Sequence, residues 1–150
     1  MRTDFLIERA VDGDDNGNVV VVDPKLARSD DDIEPAVNLW CSDRAVAELK
    51  YGHISQWDTS AVTNMSELFN GMKDFNDDIS QWNVSNVTNM HRMFKEASAF
   101  NQPLEQWNVA NVTNMWAMFA RASAFNQPLE QWNVGNVTTR KACSIRPLPL

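Results

Sequence analysis

The sequence contains few of the residues on which several common kinds of site depend. Its 150 residues include two cysteines and two histidines. Cys41 and Cys143 lie near opposite ends of the central part, so we expect free thiols and no disulfide framework. His53 and His91 have no Cys, Asp or Glu at zinc-ligand spacing. No Ser-His-Asp or Cys-His arrangement can be proposed from spacing, so we expect no zinc site and no catalytic triad.

Basic residues are also scarce, with 13 Lys and Arg against 20 Asp and Glu and a net charge of −7. Residues 1–50 hold 12 of the acidic and 6 of the basic residues. Nucleic-acid and polybasic membrane contacts need clustered Lys and Arg, so we expect neither. No apolar run approaches the length of a membrane span, and the apolar core of a secretory signal is not visible after Met1. The compartment is therefore left open.

What the sequence does contain is a repeat with a period of 25 residues, marked by tryptophans at 57, 82, 107 and 132. Ser-Gln-Trp-Asn-Val-Ser-Asn-Val-Thr-Asn-Met at 80–90 recurs as Glu-Gln-Trp-Asn-Val-Ala-Asn-Val-Thr-Asn-Met at 105–115. A fixed period of this length is typical of a solenoid, in which each unit buries its apolar side only by stacking on its neighbours. Residues 51–139 hold about three and a half repeats.

The apolar pattern within one repeat predicts a strand followed by a helix. Trp82 and Val84 alternate with polar residues, as in a short strand with one buried face. Met90, Met93, Phe94 and Ala97 fall at i, i+3, i+4 and i+7, which favours a short helix with one apolar stripe. Phe100-Asn-Gln-Pro103 then marks a return loop, because proline stops a helix. We therefore expect an α/β repeat solenoid of leucine-rich-repeat-like coils with short parallel strands and short helices.

The repeated phrase also resembles a known family. Trp-Asn/Asp-Val/Thr-Ser-x-Val-Thr-Asn-Met-x-x-Met/Leu-Phe, followed by Phe-Asn-x-x-Ile/Leu, is similar to the 25-residue repeat of BspA-like surface proteins and mycoplasma-lipoprotein-type repeat proteins. The resemblance covers roughly residues 51–139. It implies a cell-surface or extracellular adhesion or binding module, and it brings no catalytic residues with it.

The segments on either side of the repeats have different patterns. In residues 1–50 we expect a hairpin and then, over 29–50, two short helices that cover the apolar edge of the first coil. Residues 140–150 form an irregular tail, with Arg140 and Cys143 at positions that hold methionine in earlier repeats. The last coil is then expected to be open, so that it frays first or allows the chain to associate with itself or a partner.

One stretch, residues 12–23, resembles a calcium-binding loop. Asp12, Asp14, Asn16, the carbonyl of Asn18, and Asp23 occupy the ligand positions 1, 3, 5, 7 and 12 of such a loop. An aspartate replaces the bidentate glutamate at the end, however, and residues 19–22 are four valines, which favour a strand over a helix. We therefore prefer a hairpin turning at Asn16-Gly17 with solvated aspartates. A calcium-stabilised structural domain is the alternative function.

The tryptophans that mark the repeats are expected in the core, because an aromatic stripe in register with buried valines usually packs. Trp116 is different, since it occupies the position of Ser66 and His91 in earlier repeats and is expected to face outward. Exposed tryptophan and arginine are frequent interface anchors. We therefore expect a binding face that includes four variable outward residues: His91, Arg92, Trp116 and Arg121.

The expected function is that of a non-enzymatic repeat module that binds a protein or a glycan. A carbohydrate-active enzyme is a further alternative, using Asp77 and Asp78 or the register-matched Glu105 and Glu130 as paired carboxylates. Residues that repeat in register more often form a solvated row, which disfavours this alternative.

Overall fold

A computed structural model describes the backbone of residues 11–13 and 19–21, together with residues 23–139. Strand β1 (Val11–Gly13) pairs antiparallel with β2 (Val19–Val21), and Val11 lies opposite Val21. A 3-10 helix (Pro24–Leu26) follows, with Asp23 accepting a hydrogen bond from the Lys25 backbone N–H at its start. The chain then enters strand β3 (Ala27–Ser29).

Two helices lie over residues 33–51, close to the segment 29–50 for which the sequence predicts two. Helix α1 (Ile33–Ser42) buries Ile33, Ala36, Val37 and Trp40. Helix α2 (Arg44–Tyr51) begins after Asp43, whose carboxylate accepts a hydrogen bond from the Val46 N–H and so caps the helix. Among the described residues, no helix has the length and hydropathy of a membrane-spanning segment.

The N-terminal segment joins the first repeat through a parallel strand pair. Strand β3 lies beside β4 (Asp58–Ala61), with Ala27 opposite Asp58 and Ser29 opposite Ala61. A 3-10 helix (Ile54–Gln56) leads into Trp57 and β4. Residues 27–29 thus pair with the first repeat through β4.

Successive repeats are hydrogen-bonded to one another in parallel. Single bridges pair Asn64 with Asn89, Asn89 with Asn114, and Asn114 with Thr139. In the second repeat, four alternate backbone N–H groups donate to carbonyl oxygens 24 residues later at 2.8 to 2.9 Å; the donors are Met90, Arg92, Phe94 and Glu96. Within one repeat, hydrogen bonds from an N–H to the carbonyl three residues earlier close the turns, as from the Met93 N–H to the Met90 carbonyl.

The helix predicted over residues 90–97 is wrong. This segment is a series of turns, and Arg92 and Glu96 have φ angles of 52° and 59°, which an α-helix cannot contain. The physical reason is the competition for backbone donors, since every second N–H points to the next repeat instead of back along a helix. The strand predicted at 82–84 is also absent. The predicted apolar stripe is nevertheless fully buried, with Met90, Met93, Phe94 and Ala97 at 0% exposure.

The core consists of rows of equivalent side chains from adjacent repeats. Phe69, Phe94 and Phe119 stack with ring centroids 5.3 and 5.5 Å apart. The tryptophans at 57, 82, 107 and 132 are buried, which confirms the prediction for the repeat-marking tryptophans. Their indole N–H groups donate hydrogen bonds to backbone carbonyls, so both hydrogen bonding and apolar packing hold these rings in place. The leucine-rich-repeat-like solenoid with a helical cap stays a prediction.

Candidate functional site

The outward positions of the turn segment are set by the asparagine that precedes them. The side-chain oxygen of Asn89 accepts a hydrogen bond from the His91 N–H at 3.0 Å, and Asn114 accepts one from the Trp116 N–H at 3.1 Å. Asparagine favours such local side-chain to backbone turns. The same turn in successive repeats therefore holds His91 and Trp116 at equivalent places.

His91, Arg92 and Trp116 meet on this surface. The rings of His91 and Trp116 stack with centroids 5.2 Å apart and planes inclined by 21°. The guanidinium carbon of Arg92 lies 4.8 Å from the centroid of the Trp116 ring, within the range of a cation–π interaction. Trp116 is partly exposed, as are His91 and Arg92. The indole is thus supported by two side chains of the preceding repeat.

A carboxylate lies next to this group. Glu67 Oε1 lies 3.8 Å from His91 Nδ1 and 3.7 Å from Arg92 Nη1. These distances are too long for hydrogen bonds, so the contacts are electrostatic and weak at a partly exposed surface. The Glu67 carboxylate of one repeat therefore faces His91 and Arg92 of the next.

Arg121, the fourth residue of the predicted face, belongs to a second ion-pair cluster. Its Nη1 lies 3.4 Å from Glu96 Oε1, and Lys95 Nζ lies 3.8 Å from the same oxygen. The Arg121 side chain is 81% exposed. We call the two clusters together the lateral patch; its members are Glu67, His91, Arg92, Lys95, Glu96, Trp116 and Arg121.

Sequence reasoning missed three members of the patch, Glu67, Lys95 and Glu96. The signal was present, because Glu67 and Arg92 are 25 residues apart, as are Glu96 and Arg121. In a parallel stack, residues one period apart become neighbours. Opposite charges at that spacing therefore predict contacts between repeats.

Most of the charged members of the patch adopt an unusual backbone conformation. Glu67, Arg92, Glu96 and Arg121 have φ angles between 52° and 59°, in the left-handed region. Side chains other than glycine, asparagine and aspartate rarely adopt it, at a cost of roughly 1–2 kcal/mol each. Ala117 is the other non-glycine example among the described residues, and Gly71 occupies the equivalent position to Glu96. Charged residues thus occupy positions at which glycine would adopt the same backbone conformation at a lower free-energy cost.

Trp116 also differs from the other tryptophans in its indole N–H. Trp40 donates to Asp77, and the four repeat-marking tryptophans donate to backbone carbonyls. The Trp116 indole N–H donates to no acceptor among residues 23–139. The partly exposed Trp116 ring therefore carries a hydrogen-bond donor that has no acceptor among these residues.

A shallow cavity of about 520 Å³ lies between the end of α1 and the first repeat, with Trp40, Cys41, Met72 and Asp77 in its wall. Asp77 Oδ2 accepts hydrogen bonds from Trp40 Nε1 at 3.0 Å and Arg44 Nη2 at 2.7 Å. Cys41 is exposed at the surface, but partial desolvation in the cavity wall, and secondarily the nearby Asp77 carboxylate, raise the pKa of its thiol to about 11, so the thiol is a poor nucleophile at neutral pH.

The carboxylates considered for glycoside chemistry are either hydrogen-bonded to neighbouring groups or lie in different repeats. Asp77 joins the helices to the first repeat, as described above. Asp78 accepts a hydrogen bond from the Ser80 N–H at 2.9 Å, and hydrogen bonding by Ser80 lowers the pKa of the Asp78 carboxyl. Glu105 and Glu130 are exposed in different repeats. A general acid needs a raised pKa, which is the opposite of the shift at Asp78.

The calcium-loop prediction falls mostly outside the described residues. The pairing of residues 11–13 with 19–21 is that of a hairpin, but residues 14–18 and the side chain of Asp12 are outside the described part. Within the described part of the chain, no group of three His, Cys, Asp or Glu residues is arranged to hold a metal ion. The predicted open end likewise continues into residues 140–150, which are outside the described range. Both predictions stay predictions.

Comparison with known proteins gives one match. Neither a curated protein nor a solved structure matches the chain significantly. Residues 41–144 match the family described as "Mycoplasma protein of unknown function, DUF285". These residues include α2, all the described repeats and the whole lateral patch. The chain therefore belongs to this Mycoplasma family of unknown function.

Proposed function

We propose that this chain is a non-enzymatic, surface-associated repeat module that binds a protein or a glycan through the lateral patch. The observation that carries the proposal is the arrangement of Trp116, stacked on His91 and flanked by Arg92. Tryptophan and arginine are the side chains most enriched among residues that dominate binding energy. The supporting contacts hold the ring in place before a ligand arrives, which lowers the entropic cost of binding.

The contrast between the repeated buried residues and the variable outward residues supports the same proposal. Buried positions repeat with little change, as in the row Phe69, Phe94 and Phe119. Outward positions change from one repeat to the next, as in Ser66, His91 and Trp116. Repeat proteins present extended binding surfaces in this way. We propose accordingly that the parallel-bonded repeats form a solenoid, with α1 and α2 as its N-terminal cap.

The cost of the left-handed residues argues in the same direction. A purely structural turn is best served by glycine or asparagine at φ near 55°. The chain instead has glutamate or arginine at four of these positions. Strained residues of this kind concentrate at functional sites. The ion pairs that they form are exposed and offset little of the cost.

The test is binding by a matched set of variants. The chain, biotinylated at its N-terminus and tetramerised on streptavidin to raise avidity, is applied to a printed glycan array and to a panel of purified extracellular-matrix proteins. We expect the wild type to bind at least one probe, and we expect Trp116→Ala to bind that probe at least about tenfold more weakly. Leu49→Ala is the control, because Leu49 is 81% exposed on α2 and outside the patch.

Equal binding by wild type and Trp116→Ala would remove the patch from the proposal. Failure of the wild type to bind any probe in either panel would count against the proposed function as a whole. Unfolding midpoints of the three proteins show whether any loss of binding has a folding cause.

A further inference from the structure

We infer that the ligand of the lateral patch is a carboxylate-bearing glycan, such as one ending in a sialic or uronic acid. This inference rests on the proposed function and narrows it to one ligand class. It combines three properties of the patch: a supported aromatic ring, an indole donor without an acceptor among residues 23–139, and an excess of positive charge.

The aromatic face provides the first property. The negatively charged face of an indole attracts groups with positive partial charge, and the C–H bonds on one side of a pyranose ring are such groups. His91 lies against the Trp116 ring at 5.2 Å and fixes its orientation. A fixed and partly exposed indole ring is suited to contact the C–H face of a pyranose ring.

The indole N–H provides the second property. It donates to no acceptor among residues 23–139, in contrast to the indoles of the five other tryptophans. Sugar hydroxyls and carboxylates are hydrogen-bond acceptors that can lie at the edge of a ring on which the sugar stacks. A sugar therefore satisfies both the face and the edge of Trp116.

Charge provides the third property and selects an acidic sugar. The patch holds three permanent cations, Arg92, Lys95 and Arg121, against two carboxylates, although the whole chain carries −7. One oxygen of each carboxylate is shared, since Glu67 Oε1 faces both His91 and Arg92, and Glu96 Oε1 faces both Lys95 and Arg121. Arg121, at 81% exposure, retains free donors in a planar fork that matches a carboxylate.

An acidic protein segment would satisfy the charges but not the rest of the patch. Extended peptides gain affinity by adding to a sheet edge or filling pockets. The lateral patch has instead one supported ring with charges around it, and the backbone N–H groups beneath it, those of Arg92 and Glu96, already donate to the next repeat. The observations therefore favour a sugar over a peptide.

The test uses isothermal titration of the full chain with 3′-sialyllactose, with lactose as the neutral probe and a penta-glutamate peptide as the acidic non-sugar probe. We expect 3′-sialyllactose to bind and the other two to bind at least about tenfold more weakly, as loss of a charge-assisted contact or of stacking predicts. Trp116→Ala should abolish measurable binding. Arg121→Gln should weaken it about threefold to tenfold.

Lys50→Gln is the charge-matched control for Arg121→Gln, because Lys50 is an exposed cation on α2 outside the patch. It should leave binding unchanged. Trp116→Phe retains a ring but removes the N–H, so it separates stacking from hydrogen bonding and is expected to bind with intermediate affinity.

Three results would overturn the inference. Equal binding of lactose would show that the carboxylate is not recognised, and equal binding of penta-glutamate would show that the sugar is not. Failure of 3′-sialyllactose and of every acidic glycan on the printed array, together with Trp116-dependent binding to a matrix protein, would overturn the glycan and leave the proposed function standing. No binding to any probe in either experiment would overturn both.

Discussion

Asp30 is the hydrogen-bond acceptor for Thr63, whereas the equivalent Thr88 of the next repeat donates to a carbonyl of the repeat before it. The Asp30 carboxylate accepts hydrogen bonds from the Thr63 N–H at 2.8 Å and the Thr63 hydroxyl at 2.6 Å. In the next repeat, the N–H and hydroxyl of Thr88 both donate to the carbonyl of Thr63, at 2.8 and 3.3 Å. Thr113 and Thr138 repeat the pattern. Asp30 thus satisfies donors that would otherwise have no repeat before them.

Replacing Asp30 with alanine should therefore destabilise the chain. The change leaves the Thr63 and Asn64 N–H groups without their acceptor, and we expect a loss of about 1–2 kcal/mol, because the site is exposed and water replaces part of the interaction. Urea unfolding measures this loss. Asp31→Ala is the matched control, because the Asp31 side chain is exposed and its change should alter the midpoint little. Equal effects of the two substitutions would contradict a capping role for Asp30.

The same carboxylate should make stability depend on pH. Partial burial raises the pKa of Asp30, but the hydrogen bonds from Thr63 and Asn64 outweigh burial and lower the pKa below its usual value. Since the folded-state pKa is lower than the unfolded one, the contribution is full above about pH 4 and is lost as the pH falls through the folded-state pKa. The stability difference between wild type and Asp30→Ala should therefore shrink in acid. A difference that grows as the pH falls would be the wrong sign.

Cys41 should react slowly with thiol reagents. With a pKa of about 11, its thiolate fraction at pH 7 is on the order of a hundredfold below that of an ordinary cysteine thiol. Alkylation by iodoacetamide in a Cys143→Ser background isolates this thiol. We expect the rate to keep increasing beyond about pH 10 in the folded protein, whereas in urea it should level off about one pH unit above the ordinary thiol pKa. A folded-state rate that levels off at the same pH as in urea would mean that desolvation and Asp77 do not act on the thiol.

The left-handed turn positions allow the strain to be measured. Gly71 has φ of 74°, and a Cβ atom added to it would meet no heavy atom within 4 Å. Gly71→Ala should therefore cost about 1 kcal/mol from backbone conformation alone. Arg121→Gly, at an equivalent position with an 81% exposed side chain, should be neutral or stabilising by up to about 1 kcal/mol. The account would be wrong if Gly71→Ala stabilised the chain and Arg121→Gly destabilised it.

The sequence predicts burial here better than it predicts backbone conformation. The spacing of Met90, Met93, Phe94 and Ala97 identifies four fully buried side chains correctly. It does not reveal that alternate N–H groups bind the neighbouring repeat, because the spacing i, i+3, i+4, i+7 fits a helix as well as these turns. Competition between local and neighbouring hydrogen-bond acceptors is a property of the stacked repeats and is absent from one repeat read alone.

The candidate site was predictable to a similar degree. Trp116 stands out in sequence because it occupies a position that is polar in earlier repeats, and the period brings it next to His91. The ion partners Glu67 and Glu96 required the spacing of opposite charges to be read across one period. The role of Asp30 had no signal of this kind, because it lies outside the repeats and acts on Thr63 across 33 residues.

Trp116 presents its ring and N–H outward, whereas the indole N–H groups of the other five tryptophans are hydrogen-bonded within the chain. Solvent exchange of the six indole N–H groups, followed by NMR on the ¹⁵N-labelled chain, distinguishes Trp116 from the other five. We expect one rapidly exchanging indole resonance, absent from Trp116→Phe, and five that exchange slowly because each donates to a protein acceptor. A Trp116 indole that exchanges as slowly as the others would contradict the claim.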